Sequence, residues 1–402
     1  MHMIARDEYL QKLIDLRDTD LIKVVTGIRR CGKSTLFKLY QDYLKSNGVS
    51  NEQIISINFE DLAYEELLNY RSLYDHVKSR LISEKMNYVF LDEIQAVDQF
   101  QKAADSLYIQ DNVDLYITGS NASLLSGDLA TLLSGRYVEI AMMPLSFKEY
   151  VSAQTDKSSI SELYSKYRKN SSFPGAVEIS SHGKLREYLS GIYNTIVLKD
   201  IVARYNIQDV SMLDSIIRFM FDNIGNICSS RKIAGALASS GRKVSANTVE
   251  RYLSAMTSSY ILYQARRYDL KGKQYLASGE KYYVADIGLR NYLLGDKAAD
   301  LGHILENIVF LELLRRGNDV YIGKVGNSEV DFIAVGEEGT AYYQVAATVR
   351  EESTLNRELA PLDMIQDHNP KYLLTLDDDP PMFHNGIRQI NALDWLLSRP
   401  QD

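Results

Sequence analysis

The sequence predicts an α/β protein: a parallel sheet with helices in its N-terminal part, then a helical region, then a smaller α/β domain. Three observations predict it. Residues 21–37 read LIKVVTGIRRCGKSTLF, which is an apolar strand, a glycine loop and a helix in that order. Residues 87–95, NYVFLDEIQ, form a second apolar strand that ends in two carboxylates. Residues 114–121, DLYITGSN, form a third, which ends in small polar side chains. Strands that deliver polar groups at their C-terminal ends are what a parallel sheet offers a ligand.

The glycine loop fits G-x-x-x-x-G-K-[ST] at every fixed position, the signature of a P-loop NTPase. Gly27 and Gly32 permit backbone angles that bulkier residues resist. The N–H groups of Gly27, Ile28, Arg29, Arg30, Cys31, Gly32, Lys33, Ser34 and Thr35 can then surround phosphate oxygens at a helix N-terminus. Lys33 is expected to reach the β- and γ-phosphates of ATP, and Ser34 to offer its hydroxyl to Mg²⁺.

The remaining elements of the first third follow in order. Residues 6–16 carry an amphipathic helical pattern, 53–60 a strand and 64–81 a helical pattern. Asp92, about 60 residues after the loop, is expected to hold Mg²⁺ as the Walker B acid, and Glu93 to deprotonate an attacking water. Either Ser120 or Asn121 is a candidate sensor of the γ-phosphate, and either serves equally well as a helix cap. Arg136, in LSGRY before the strand-like residues 138–142, is a candidate for stabilising transferred-phosphate charge, in this chain or in a neighbouring subunit of a homo-oligomer. Asn58 ends the second strand, where capping is the first expectation and a contact with Glu93 the second.

Composition sets the frame. The chain has 402 residues, enough for two or three domains, and is 45% hydrophobic and 24% charged. A net charge of −8 excludes a generic nucleic-acid binder, so any basic site must be local. Two cysteines, Cys31 and Cys228, have no spacing for a metal site or a disulfide framework, which fits a reducing cytoplasm. No apolar run approaches the roughly 18 residues of a membrane helix, and the mixed-charge start is not a signal peptide.

GIRRCGKST, VFLDEIQ, YITGSN, LSGRY and MPLSFKEY together resemble a family of bacterial and archaeal AAA-type ATPases with a C-terminal domain of unknown function. Phe173-Pro174-Gly175 and Glu329-Val330-Asp331-Phe332 extend the resemblance over almost the whole chain. It implies ATP binding and hydrolysis by an AAA-type ATPase domain, here residues 1–154.

Residues 155–161 are a polar linker, and residues 184–204 a long helical pattern; together 155–208 read as a helical lid or bridge. From residue 212 three helices follow, the second capped by Ser229 or Ser230 and the third by Ser245. A hairpin pattern over 261–284 comes next, so residues 209–290 are expected to be a winged helix. Between Ser229 and Lys273 there are nine basic side chains and two acidic ones, an excess of seven in a chain of net −8. DNA is therefore a candidate partner, through Arg231, Lys232, Arg242, Lys243, Asn247, Thr248 and Arg251. A protein partner is the alternative for the same module.

In residues 300–402 a helix over 301–316 and strands over 320–322, 328–335 and 340–345 outline a PD-(D/E)XK nuclease-like domain. Glu306 and Asp331 occupy its acidic positions. Gln344 replaces the next acid and Ala346 the lysine, so a scaffold without metal-dependent cleavage is expected, with Glu306 and Asp331 each part of a structural ion pair or a hydrogen-bonded polar group of the core.

Overall fold

The computed structural model describes residues 4–125, 133, 135–155, 158–272, 274–275, 279–296 and 300–398. The chain divides into two compact units, Met1–Pro144 with Ser258–Tyr260, and Leu145–Thr257 with Ile261–Asp402.

The first unit comprises α1 (Asp7–Asp15), β1 (Ile22–Thr26), α2 (Lys33–Ser46), β2 (Ile54–Asn58), α3 (Tyr70–Lys78), β3 (Asn87–Asp92), α4 (Phe100–Tyr108), β4 (Val113–Gly119) and β5 (Tyr137–Ala141). Its strands form one parallel sheet in the order β2-β3-β4-β1-β5. The strand between the loop strand β1 and the acid strand β3 is therefore β4, which carries Thr118 and leads to Ser120 and Asn121. β1 and β3 are buried along their whole length, so both faces of the sheet are covered. Phe37 of α2 packs edge-on against Phe90 of β3, which stacks on Tyr116 of β4 with ring centroids 4.8 Å apart. Lys23 interrupts the apolar run of β1, and its ammonium pairs with Asp114 of β4 at 2.5 Å, both side chains buried. A buried charge is tolerable only with such a partner.

The second unit begins with α5 (Phe147–Ser152), α6 (Ile160–Lys169) and α7 (His182–Thr195), which runs on as π-helix over Ile196–Ala203. Next come α8 (Val210–Asp222), α9 (Ser230–Ser239) and α10 (Ala246–Ser258). Ser229 caps α9 through the Lys232 N–H, and Ser245 accepts from the Thr248 N–H at the start of α10. Then follow β6 (Leu262–Asp269), β7 (Gln274–Tyr275), β8 (Lys281–Val284), α11 (Ile287–Leu294), α12 (Leu301–Arg315), β9 (Asp319–Val325), β10 (Ser328–Gly336), β11 (Gly339–Ala346), α13 (Glu352–Asp363), β12 (Lys371–Thr375), β13 (Met382–His384), β14 (Ile387–Asn391) and α14 (Ala392–Leu397).

The hairpin expected to stand as a separate wing is built into a larger sheet. β6 pairs antiparallel with β8 through its first half and with β7 through its end. Its second half also pairs parallel with β9, so the strand path runs β13-β14-β12-β11-β10-β9-β6-β7. Strands before and after the boundary expected near residues 290–300 thus belong to one hydrogen-bonded sheet. β9, β10 and β11 form an antiparallel meander, and β12 adds parallel to β11 across α13.

Candidate nucleotide site and a second carboxylate pocket

The phosphate loop leaves β1 at Thr26 and enters α2 at Lys33. Gly27 has φ +142, and a Cβ there would meet the Met142 carbonyl oxygen at 1.9 Å, so only glycine fits. Gly32, at φ +108, caps α2. Ile28 and Cys31 are buried, Arg29 is partly buried and Arg30 is exposed with φ +68. The Lys33 ammonium donates to the Gly27 carbonyl at 3.0 Å and lies 3.5 Å from Glu93. Burial pushes the Cys31 thiol up, away from reactivity.

Asp92 and Glu93 sit at the end of β3, beside the loop. Thr118 joins them: its hydroxyl donates to Asp92 and accepts from the Glu93 N–H at 2.8 Å. Glu93 holds a left-handed backbone, φ +57, which costs a non-glycine residue roughly 1–2 kcal/mol. The two carboxyls are driven apart. Burial pushes Asp92 above its ordinary value despite hydrogen bonds from Ser34 and Thr118. Burial acts the same way on Glu93, but Lys33, Arg29 and the Gln95 amide outweigh it and hold Glu93 below the usual carboxylate range. Asp92 lies against the Ser34 hydroxyl. One hydroxyl and one carboxylate are the protein share that Mg²⁺ takes when phosphates and waters supply its other oxygens, so Ser34 and Asp92 fit the ion. Among the described residues no group of three or more His, Cys, Asp or Glu is placed to hold a metal by protein ligands alone.

Ser120 and Asn121, both buried, follow β4 into this site. The Gln95 amide donates to Glu93 and, at 3.4 Å, to Ser120, while its Oε1 is buried without a hydrogen-bond partner. Asn121 donates to the Ser259 hydroxyl at 3.3 Å. Thr35 lies in the first turn of α2, partly buried. Arg136 is elsewhere. β5 runs parallel to β1, and the Arg136 carbonyl accepts from Ile22, at the end of β1 opposite the loop. Its guanidinium pairs with Asp105 at 2.6 Å and lies over the Tyr108 ring. Within this chain it therefore does not face the phosphate loop, which corrects the expectation of a role in its own site. Ser134 of the same motif lies outside the described residues. Asn58 accepts from the Glu60 N–H, the capping contact.

Sequence reasoning missed four contributors. Arg6 is buried and donates to the Cys31 carbonyl at 2.8 Å and the Met143 carbonyl at 2.7 Å, bracing the loop from behind. Thr118, Gln95 and Ser259 complete the acid and sensor contacts. Only Thr118 and Gln95, next to the acids in the quoted strands, carried a signal.

In the second unit the basic segment is partly spent on the protein itself. Arg242 reaches back to Ser211 and Ser215 of α8, and Lys232 donates to the Ile227 carbonyl at 3.0 Å. Arg231, Lys243, Asn247 and Arg251 are exposed, and Thr248 is half-buried against Ser245. Asn247, Arg251 and Ser254 share one exposed face of α10, with Glu250 beside them. Lys273 lies outside the described residues.

Glu306 of α12 and Asp331 of β10 do come together, but not as a pair. The ammonium of Lys281, on β8, lies 3.0 Å from Glu306, 2.7 Å from Glu329 and 3.7 Å from Asp331. Tyr283 donates to Glu306, and Gln344 to Glu358 of α13. Both acids thus lie in a charge cluster around Lys281, a lysine from outside the nuclease-like stretch. Burial, then the neighbouring Glu306, push Asp331 up to about 8 against the opposing pull of Lys281.

Comparison with known proteins adds the following. Residues 19–151 match the model of an AAA domain, and residues 161–300 that of a domain of unknown function. An uncharacterized protein of Haemophilus influenzae is 41% identical over 399 residues, 98% of this chain and 99% of the relative. An uncharacterized protein of Methanocaldococcus jannaschii is 30% identical over 378 residues, 89% of this chain and 82% of that one. Among solved structures, the Walker-type ATPase PABY2304 of Pyrococcus abyssi aligns with a TM-score of 0.49 and 17% identity over 72% of this chain and 95% of its own. ORC1 of Aeropyrum pernix, solved in complex with DNA, aligns with a TM-score of 0.34 and 14% identity over 72% and 92%.

Proposed function

This chain belongs to a family of AAA-type ATPases that join an AAA domain to a domain of unknown function, and we propose that its ATP turnover gates the conformation of the second half. The observation that carries the hydrolytic part is the placement of Glu93: at the end of β3 beside Asp92, buried and 3.5 Å from Lys33. A carboxylate so placed can orient an attacking water and accept its proton. Lys33 binds the phosphates with the loop N–H groups, and Ser34 and Asp92 would hold Mg²⁺, which would supply positive charge to the phosphoryl oxygens. The unpaired Oε1 of Gln95 is an acceptor for the attacking water. Ser120 and Asn121 read the γ-phosphate, Asn121 being the residue tied to a segment that follows α10. Arg136 acts, if at all, on the site of a neighbouring copy in a homo-oligomer.

The partner of the gated half is read as DNA, because Arg231, Lys243 and Arg251 are exposed on the helices of the locally basic module. The test is anisotropy of a labelled duplex with the full chain, carrying ATP or ADP, over a range of salt. Affinity is expected to fall steeply with salt and to differ between the two nucleotides. Arg251→Ala is expected to reduce the salt slope by about one unit. Binding absent at every salt and in both nucleotide states removes DNA and leaves a protein partner for the same surface.

A further inference from the structure

Three residues, Ser258–Tyr260, cluster with the first unit although the chain on both sides of them belongs to the second. They begin with the last residue of α10, the helix that carries Asn247, Thr248 and Arg251. Ser259 is fully buried, and its hydroxyl accepts from the Asn121 amide at 3.3 Å. Tyr260 adopts φ +56, a left-handed backbone that a bulky aromatic residue rarely takes. Such an outlier persists only where its surroundings hold it. Here the Tyr260 hydroxyl donates to Glu139 at 3.2 Å, and the same carboxylate accepts from Thr26, the residue before Gly27. The turn thus touches the two strands that flank the phosphate site. Ser259 meets the end of β4, and Tyr260 reaches, through Glu139, the end of β1.

We propose that Ser259 is a positioning residue that holds Asn121 in the orientation needed for hydrolysis, with the turn at Tyr260 fixing Ser259 in place. The inference rests on the reading of Asn121 as γ-phosphate sensor. It makes the last residue of α10 and the sensor side chain neighbours along one short covalent and hydrogen-bonded path. The sensor then has a route to α10 that needs no separate signalling element. Ser259 is not part of the phosphate loop, so its loss changes how often Asn121 is aligned and leaves loop binding of ATP alone.

The test is steady-state ATP turnover by the full chain as Ser259→Ala, Ser259→Thr, Asn121→Ala and the Ser259→Ala/Asn121→Ala double variant. Loss of one such hydrogen bond is expected to lower kcat about three- to tenfold in Ser259→Ala, with KM for ATP within about twofold of the parent. Ser259→Thr, which keeps the hydroxyl, is expected to recover most of the rate. The double variant is expected to be no slower than Asn121→Ala, because both changes break one contact. Parent kcat in Ser259→Ala beside a slow Asn121→Ala overturns the positioning role alone. Multiplicative losses in the double variant do the same. Parent kcat in Asn121→Ala overturns the sensor reading itself.

Discussion

Glu93→Gln is expected to stop ATP turnover while leaving ATP bound. The amide cannot accept the proton of water, and removal of a positioned general base costs about 10²–10⁴ in rate. The side chain keeps its size, so its contacts with Gln95 and the Thr118-held backbone have no steric reason to fail. Lys33→Ala is expected to lose turnover for a different reason. Its ammonium is the charge that meets the phosphates, so nucleotide affinity falls with rate. Phosphate release and binding of a fluorescent ATP analogue separate the two. Turnover at the parent rate in both variants would falsify the assignment of the site. Equal loss of ATP affinity in both would move Glu93 from base to structural partner of Lys33.

The second large effect concerns the carboxylate pocket. Lys281→Met is expected to destabilise the protein by about 3–5 kcal/mol, the cost of leaving buried carboxylates without their cation. Burial opposes the lysine charge, but Glu306, Asp331 and Glu329 outweigh it and raise the ammonium above its ordinary value. A raised lysine contributes its stability below its unfolded value of 10.5 and loses it only as pH rises beyond, so the pairing is intact at neutral pH. Asp331 has the same sign in a lower window. Its value is raised from 3.8 to about 8, so between those limits the folded protein holds a proton that the unfolded chain releases. Stability contributed by this group falls as pH rises through that window. Asp331→Asn, which mimics the protonated carboxyl, is expected to flatten the decline of Tm with pH across this window. Denaturation curves of the parent and the two variants at several pH values check both windows. A parent-like Tm in Lys281→Met means that the cluster is not held by its lysine.

The loop, the Walker acids and the strand between them were legible because their chemistry is local. Gly27, Gly32 and Lys33 are fixed by one turn of backbone, and Asp92 and Glu93 by the end of one strand. What the sequence hid comes from distance. Arg6 meets Cys31 from 25 residues away, and Lys281 meets Glu306 from the same separation. Ser259 reaches Asn121 across 138 residues. No spacing rule links such pairs, since only the packed fold sets them side by side. Lys23 shows the same limit inside a strand, where a charge in an apolar run makes sense only beside Asp114. The hairpin after α10 was recognised, but its second partner was not. One strand pattern cannot say how many edges it will pair, and β6 pairs along both. The count of basic residues was correct, while their freedom was not: Arg242 and Lys232 are engaged with their own module.

Nucleotide at the loop is expected to alter the second half of the chain. Hydrogen exchange of full-length Glu93→Gln, holding ATP and then ADP, tests it most directly. Altered protection is expected in residues 145–257, with α10 among the segments that change. Exchange that differs only within residues 4–144 and is identical beyond them would contradict it.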